Sequence, residues 1–506
     1  MHFKQLLLFL TVLAHDVSCW EPSFDGLTVE TTAGQVQGFI NSSTPGVRQF
    51  LGIPYAEAPL GALRFAPPQP KKKGGPIKAT AFAPSCMQQL SNASTIYTEV
   101  VPQFLINGGQ SEDCLYVHIW APVVKDSHRR KRRPLPVLVY IPGGGFTGGG
   151  ADSVAKIPDT WVQRTQSHIV VIMNYRVNVF GFPNAKGLEN RNVGLLDQRM
   201  AVEWTRDNIA AFGGDTSRIT LWGQSAGAAS VDTYGYTYPE DPIVSSLIAD
   251  SGSATIRSSA DYAQTNFTFL AGLVGCRGLS SDAGLACVRD VPAVTLQSAL
   301  SNYIGSGARP SIAFVPVSDN VTVFSNTTDR ALRGLVAKIP AIMGSNENEG
   351  AGFVPFTLAG PGAAALFALT QSIIACPVGL GVRNRERIGL PTYRYQYAGN
   401  FSNLAPVAFM GAYHSAELPL LFGTHDREFY GPSTPFEYDV SHTMQALWLS
   451  FASNPSAGPV IATSRRQRFE WPEYSSDTDS MVLFASGDRV LQLVDGDRID
   501  ANCTGL

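Results

Sequence analysis

A serine flanked by glycines is the group in this 506-residue sequence best suited to act as a nucleophile. The motif Gly223-Gln224-Ser225-Ala226-Gly227 follows an apolar run at residues 219–222. Glycines at this spacing allow a tight strand-to-helix turn that exposes the serine Oγ atom. An ordinary β-turn can carry the same letters, but the preceding apolar run favours a nucleophile elbow. We therefore predict that Ser225 is a catalytic nucleophile.

A second glycine run could bind the negative oxygen that forms when a serine attacks a carbonyl. Gly143-Gly144-Gly145 follows the apolar residues 137–141. Backbone N–H groups in such a loop can stabilise the oxyanion, and Ala226, next after the nucleophile, would supply a further donor. A phosphate-binding loop would end in Gly-Lys-Ser/Thr, whereas Ala151 and Asp152 follow Gly150. A simple flexible turn is the remaining alternative.

A serine also needs a base to remove its proton, and three histidines follow Ser225 in the chain. His442 lies near a predicted helix start and is expected at the surface. His425 stands among polar residues and is expected in a solvated loop. His414 is therefore the candidate base, although a single histidine is more often structural.

The acid that orients the histidine should lie between the serine and the histidine in the chain. An apolar run at residues 341–343 is followed by Glu347 and Glu349. An acid just past such a strand is suitably placed. Spacing alone does not separate the two glutamates.

The surrounding pattern alternates short apolar runs with helical patterns. Runs at 137–141, 169–173, 219–222 and 341–343 are typical of buried parallel strands, and residues 196–212 form a helical pattern. This alternation predicts an α/β sheet with its site at the carboxyl ends of the strands. Residues 351–382 contain no charged residue, but their prolines and polar residues favour core or cap structure over a membrane span.

The N-terminus has the pattern of a secretory signal. Lys4 precedes the apolar residues 6–14, and small residues precede Trp20, so we predict a signal peptide at residues 1–19, no transmembrane anchor and a single domain at 20–506. Its removal leaves six cysteines, an even number suited to an oxidising compartment. The net charge of −3 gives no indication of a nucleic-acid partner. Glycosylation sequons occur at Asn41, Asn92, Asn266, Asn320, Asn326, Asn400 and Asn502.

Several longer motifs resemble one known family over nearly all of the mature chain. Residues 50–70 read FLGIPYAEAPLGALRFAPPQP, residues 112–115 read EDCL, and residues 192–227 end in the serine motif. These motifs are similar to those of the type-B carboxylesterase, lipase and cholinesterase family, and most of all to its secreted fungal members. The resemblance implies an α/β-hydrolase fold, with a large, mostly parallel central sheet flanked by helices.

The resemblance also implies roles for individual residues. The family motif Gly-x-Asn-x-x-Glu-Gly places the acid at Glu349, and Gly-x-x-His-x-x-Glu places the base at His414. The family's oxyanion glycines fall on Gly144 and Gly145. The implied disulfides are Cys86–Cys114, Cys276–Cys287 and Cys376–Cys503. The implied reaction is carboxylic ester hydrolysis through an acyl-enzyme, without a metal or organic cofactor.

The sequence departs from the family in four places. The residue before the glycine run is Pro142 instead of histidine, and the residue before the nucleophile is Gln224 instead of glutamate. The loop between Cys86 and Cys114 has no tryptophan to bind a quaternary ammonium, which disfavours a cholinesterase. Glu349 and His414 are 65 positions apart, a shorter interval than in other members of the family. This implies either a more open entrance to the active site or a segment lost from the gene model.

We therefore expect a secreted serine carboxylesterase that acts on a small, uncharged and partly apolar ester. A lactonase or acyltransferase could use the same three residues. A non-catalytic adhesion protein related to the cholinesterases is a third alternative, but those proteins lack the serine that is present here.

Overall fold

The computed structural model describes residues 26–89, 93–123, 133–255, 261–427, 429–462, 468–478 and 480–503. The predicted signal peptide and the sequon at Asn92 lie outside these residues. The strands are β1 Thr28–Thr31, β2 Gly34–Gln37, β3 Phe39–Ile40, β4 Val47–Pro54, β5 Ile77–Lys78, β6 Ser85–Cys86, β7 Gln110–Ser111, β8 Tyr116–Pro122, β9 Leu135–Ile141, β10 Ile169–Met173, β11 Gly214–Gln224, β12 Ser246–Asp250, β13 Ala341–Asn346, β14 Thr392–Tyr397, β15 Val460–Ala462, β16 Arg468–Glu470, β17 Met481–Ser486 and β18 Arg489–Val494. The α-helices are α1 Ile96–Glu99, α2 Asp159–Thr165, α3 Asn178–Gly181, α4 Val193–Asn208, α5 Ala226–Thr237, α6 Thr265–Leu273, α7 Ser281–Asp290, α8 Ala293–Gly305, α9 Thr327–Leu332, α10 Ala363–Thr370, α11 Cys376–Arg387, α12 Leu418–Phe422 and α13 Pro435–Ser453.

In the described part of the chain, eleven strands form one central sheet in the order β18-β17-β14-β13-β12-β11-β9-β10-β8-β4-β3. Between β17 and β10 in this order, each strand is parallel to the next. The pairs at both edges are antiparallel. The fold is therefore the predicted α/β-hydrolase type, with a parallel centre and antiparallel edges.

Both faces of the sheet are covered, because the central strands carry apolar side chains toward both sides. Trp222 of β11 stacks on Phe422 of α12, with ring centroids 4.7 Å apart. Its neighbour Leu221 lies in the core that also contains residues of α4 and α5. The four predicted strands are present as β9, β10, β11 and β13. The predicted helix at 196–212 begins earlier, at Val193, and ends in a 3₁₀ turn.

The charge-free segment continues into a long helix. Helices α10 and α11 join through a π-helical stretch to form Ala363–Arg387, which by length and composition alone could cross a membrane. Its second half instead packs on the sheet: Val378 and Val382 are fully buried in the core that contains Met343 of β13. This packing agrees with the predicted core or cap structure.

Three disulfides join described cysteines, and they match the pairs that the family resemblance implies. They are Cys86–Cys114, Cys276–Cys287 and Cys376–Cys503. The last one spans 127 positions and ties the C-terminal residues to the start of α11. Three disulfides fit a protein that folds in an oxidising compartment.

Candidate active site

Ser225 lies at the sharp turn between β11 and α5. Its backbone has φ 58° and ψ −123°, a conformation that non-glycine residues rarely adopt. Its N–H donates to the Asp250 carbonyl oxygen at 2.8 Å, which anchors the turn to β12. A Cβ atom on Gly227 would lie 2.0 Å from the Ile141 carbonyl oxygen, and one on Gly223 would lie 2.5 Å from the Gly227 carbonyl carbon. The two motif glycines are therefore required for the turn.

The glycine run after β9 lies beside this turn. Gly144 and Gly145 adopt positive φ angles of 130° and 62°. The side-chain amide of Gln88 holds the loop from outside: its Nε2 donates to the Gly149 carbonyl at 2.6 Å, and its Oε1 accepts from the Gly149 N–H at 3.0 Å. Ala226 is the first residue of α5, so its N–H lies at the positive end of a 12-residue helix. These backbone groups could stabilise a developing negative oxygen next to Ser225.

The structure brings His414 and Glu349 together. His414 Nδ1 lies 2.5 Å from Glu349 Oε2, and the second carboxylate oxygen accepts from the Asn346 N–H at 2.6 Å. Glu349 is fully buried. Glu347 is exposed, and its nearest cation is Arg498 at 3.8 Å. Of the two glutamates that spacing alone did not separate, Glu349 is the one that faces the histidine.

The other two histidines lie away from this pair. His442 is exposed, as expected, but α13 begins at Pro435, so the prediction that His442 lies near a helix start is wrong. The expectation of a solvated loop at His425 is wrong: the side chain is buried, and its Nδ1 lies 2.9 Å from Ser433 Oγ. The polar residues beside His425 in the sequence suggested exposure, but the protein interior supplies its hydrogen-bond partner. Burial lowers the pKa of His425 to about 4, so it is neutral at physiological pH.

The second ring nitrogen of His414 faces Gln224. Gln224 Nε2 lies 3.2 Å from His414 Nε2. Ser225 directly follows Gln224 in the chain. Within the described residues, however, no hydrogen bond joins Ser225 Oγ to the His414 ring. Catalytic hydrogen bonds are often long before substrate binds. The Phe353 ring packs on the imidazole with centroids 4.7 Å apart, and the Tyr97 hydroxyl donates to the His414 carbonyl at 2.6 Å.

Two asparagines join the loop of the acid to the loop of the histidine. Asn346 Nδ2 donates to the Tyr413 carbonyl at 2.8 Å. Asn348 Nδ2 donates to the carbonyls of Phe409 and Met410 at 2.8 and 2.7 Å. Because both contacts cross between distant parts of the chain, they fix the separation of Glu349 and His414.

Two further carboxyl groups are buried behind Glu349. Asp250 accepts hydrogen bonds from Trp222 Nε1 at 2.5 Å and from the Tyr395 hydroxyl at 2.9 Å. Burial raises the pKa of Asp250 to about 7, and the charge of Glu349 acts in the same direction. Burial and the neighbouring carboxylates raise the pKa of Glu417 well above its usual value, although Asn346 donates to it at 2.5 Å. Burial thus favours the neutral form of Glu417, and Glu349 is the carboxyl group of the cluster that contacts the imidazole.

A cavity of about 210 Å³ opens next to Ser225. Its lining combines the oxyanion candidates Gly145 and Ala226 with the hydroxyl residues Thr233 and Ser253 and with apolar side chains from several elements. The apolar part is Phe146, Leu195, Val315, Pro316, Val323, Phe353, Ile373 and Ile374. Three of these residues come from the charge-free segment. A larger groove of about 780 Å³, along residues 264–285, contains neither Ser225 nor His414 and is not the chemical site.

Sequence reasoning missed the groups that support the site. Asp250 and Gln88 lie far from the site motifs in sequence, so only the folded sheet and loops reveal their contacts. Gln224 was noted for its missing charge but not for its contact with His414. Within the described residues, no group of three or more His, Cys, Asp or Glu side chains is arranged to hold a metal ion.

A serine elbow at the carboxyl end of a central parallel strand, on a sheet covered by helices on both faces, defines the α/β-hydrolase class. Comparison with known proteins identifies the family. The carboxylesterase family model matches residues 25–367 and 361–494. The chain is 60% identical to chlorogenic acid esterase of Aspergillus niger over 95% of this chain and 94% of that protein. It is 40% identical to secreted lipase 5 of Gibberella zeae over 99% of both chains.

A more distant similarity extends to acetylcholinesterase of Electrophorus electricus, at 34% identity over 73% of this chain and 59% of that protein. The chain belongs to the carboxylesterase family, and it is a carboxylic ester hydrolase. The predicted family and class of enzyme are confirmed.

Proposed function

We propose that this protein is a secreted serine carboxylesterase in which Ser225, His414 and Glu349 form the catalytic triad. The observation that carries the proposal is the 2.5 Å contact between His414 Nδ1 and Glu349 Oε2, beside the strained turn that presents Ser225. The buried carboxylate fixes the tautomer with hydrogen on Nδ1. The Nε2 lone pair is then available to accept the serine proton.

In the first half of the reaction, Ser225 Oγ attacks the ester carbonyl while His414 Nε2 takes its proton. The N–H groups of Gly144, Gly145 and Ala226 hold the oxyanion of the tetrahedral intermediate. The imidazolium gives its proton to the departing alcohol, and the acyl group remains on the serine. Glu349 stabilises the charged imidazole throughout this step.

In the second half, water attacks the acyl-enzyme. His414 removes a proton from the water and returns it to Ser225 Oγ as the acid leaves. The same three N–H groups stabilise the second oxyanion. No step requires a group other than these residues, the ester and water.

We propose a small ester with an uncharged, partly apolar acyl group as the substrate. The largely apolar lining of the 210 Å³ cavity supports this choice, because its described residues include no charged side chain that could pair with a charged acyl group. The relative from Aspergillus niger carries the name chlorogenic acid esterase. Chlorogenic acid is therefore the first natural ester to test.

Secretion of residues 20–506 as one domain, after removal of residues 1–19, is part of the proposal. Three disulfides and a relative named as a secreted lipase support it. The exposure of the described glycosylation sites also supports secretion. Asn41, Asn320, Asn326, Asn400 and Asn502 are exposed, and Asn266 is half-buried. N-terminal sequencing of the protein from culture medium should begin at Trp20; a retained N-terminus would contradict the signal-peptide assignment.

Active-site labelling tests the proposed reaction. A p-nitrophenyl phosphonate should phosphonylate the purified protein once, and peptide mapping should place the label on Ser225. His414→Ala should lose labelling, whereas His442→Ala, an exposed histidine, should keep it. Labelling at another residue would contradict the proposal. Product analysis with and without an acceptor alcohol would distinguish hydrolysis from acyl transfer.

A further inference from the structure

We propose that Gln224 is a positioning residue, which holds the resting imidazole of His414 neutral, with its hydrogen on Nδ1, by donating an amide hydrogen to Nε2. This inference rests on the proposed role of His414 as the base. It concerns a different property of the enzyme, namely the pH at which that base becomes available.

The hydrogen-bond geometry around His414 fixes which atom donates. His414 Nδ1 lies 2.5 Å from a carboxylate oxygen of Glu349, so Nδ1 carries the hydrogen and donates. Nε2 of the neutral ring is then an acceptor. The atom that faces it at 3.2 Å is the Nε2 amide nitrogen of Gln224, which has two hydrogens to donate. The two contacts are therefore mutually consistent only for the tautomer that a general base needs.

The glycine run makes room for this amide. A Cβ atom on Gly143 would lie 2.6 Å from the Gln224 carbonyl oxygen, 2.9 Å from its side-chain Oε1 and 3.0 Å from Ser225 Cβ. Any side chain at position 143 would therefore push against both Gln224 and the nucleophile. Gln224 itself is buried, which limits the alternative positions of its amide.

The chemical consequence follows from the direction of the hydrogen bond. A donor at Nε2 stabilises the neutral ring, whereas protonation would place two N–H groups against each other. Protonation of the resting base therefore breaks the Gln224 contact, whereas the neutral ring keeps it. When substrate binds, Ser225 Oγ replaces the amide as the donor to Nε2, so the contact holds the ring oriented until the reaction begins.

The other ionisable groups around the imidazole act from the opposite side. Glu349 contacts Nδ1, and the buried carboxyl groups of Asp250 and Glu417 lie behind it. The Tyr97 hydroxyl donates to the backbone carbonyl of His414 and not to its ring. A substitution at position 224 therefore changes the hydrogen-bond partner of His414 Nε2 and leaves the contact between Glu349 and Nδ1 in place.

The test is the pH dependence of kcat/KM between pH 4 and 8 for the wild type, Gln224→Met and Gln224→Glu. Methionine keeps the length of the side chain without the donor, so the midpoint of the acidic limb should rise by about half a pH unit. Glutamate places a negative charge at Nε2, so the midpoint should rise by about one unit or more. Gln35→Glu, at an exposed position of β2, adds the same charge elsewhere and should leave the midpoint unchanged.

If a variant turns over too slowly to follow, the midpoint of its acidic limb can be measured instead from the rate of phosphonate labelling at Ser225 as a function of pH. Midpoints for both Gln224 variants equal to that of the wild type would overturn the inference. Labelling also separates the two proposals: unchanged midpoints with Ser225 still labelled contradict only the role of Gln224. Loss of the label from Ser225 in the wild type would contradict the proposed triad itself.

Discussion

His414 Nδ1 and Glu349 Oε2 lie 2.5 Å apart, although the two residues are 65 positions apart in the chain. Glu349 is fully buried, and its other oxygen accepts from the Asn346 N–H. Glu349→Gln keeps the shape but presents a weaker partner that can hold the wrong tautomer of the ring. We expect kcat to fall roughly 10³–10⁴-fold with little change in KM.

Glu347→Gln is the matched control, because Glu347 is exposed two positions away and does not contact the histidine. Steady-state kinetics of both variants on one p-nitrophenyl ester make the comparison. Equal losses of kcat in the two variants would show that the buried carboxylate has no special role.

The two glycines of α5 should respond oppositely to alanine. A Cβ atom on Gly227 would lie 2.0 Å from the Ile141 carbonyl, so Gly227→Ala must displace the elbow. We expect it to lower the free energy of unfolding by about 1–3 kcal/mol and to abolish most activity. Gly235, later in the same helix, has its nearest neighbour at 3.4 Å, so Gly235→Ala should raise stability by about 0.5–1 kcal/mol. Urea unfolding measures both; equal stability of the two variants would contradict the close packing at the elbow.

The buried carboxyl group of Asp250 should make stability fall as pH rises. Its pKa is about 7 in the folded protein and near 3.8 when unfolded, so between these values the folded state binds more protons. Stability is therefore lost as pH rises through the folded pKa. Asp250→Asn removes this contribution, so the difference in unfolding free energy between wild type and variant should change by about 2–3 kcal/mol from pH 5 to pH 8. A difference that stays constant with pH would contradict the raised pKa.

The disulfides should contribute to stability according to the length of chain that they close. Cys376–Cys503 spans 127 positions, whereas Cys276–Cys287 spans 11. Replacing the first pair by alanines should cost about 5 kcal/mol of unfolding free energy, and replacing the second about 3 kcal/mol. Denaturant unfolding of the two double variants provides the comparison. A larger loss for the shorter loop would contradict this ranking.

The sequence supported the fold and the choice of candidate residues, because strands and elbow glycines have strong local signatures. Spacing in the sequence did not distinguish Glu349 from Glu347 as the candidate acid. The family motif was needed to choose Glu349. Buried groups were harder to predict. His425 looked solvated because its neighbours in sequence are polar, and Asp250 drew no attention because its partners Trp222 and Tyr395 lie on other strands. Such contacts depend on strand order, which no local pattern encodes.

The most direct test of the proposed mechanism is the hydrolysis rate of Ser225→Ala on a p-nitrophenyl ester, measured with the purified protein. Circular dichroism and the urea midpoint should match the wild type, since the variant removes one oxygen from a half-buried side chain. We expect kcat to fall by roughly 10⁴–10⁶-fold. A variant that is correctly folded and retains the wild-type rate would contradict the role of Ser225 as the nucleophile.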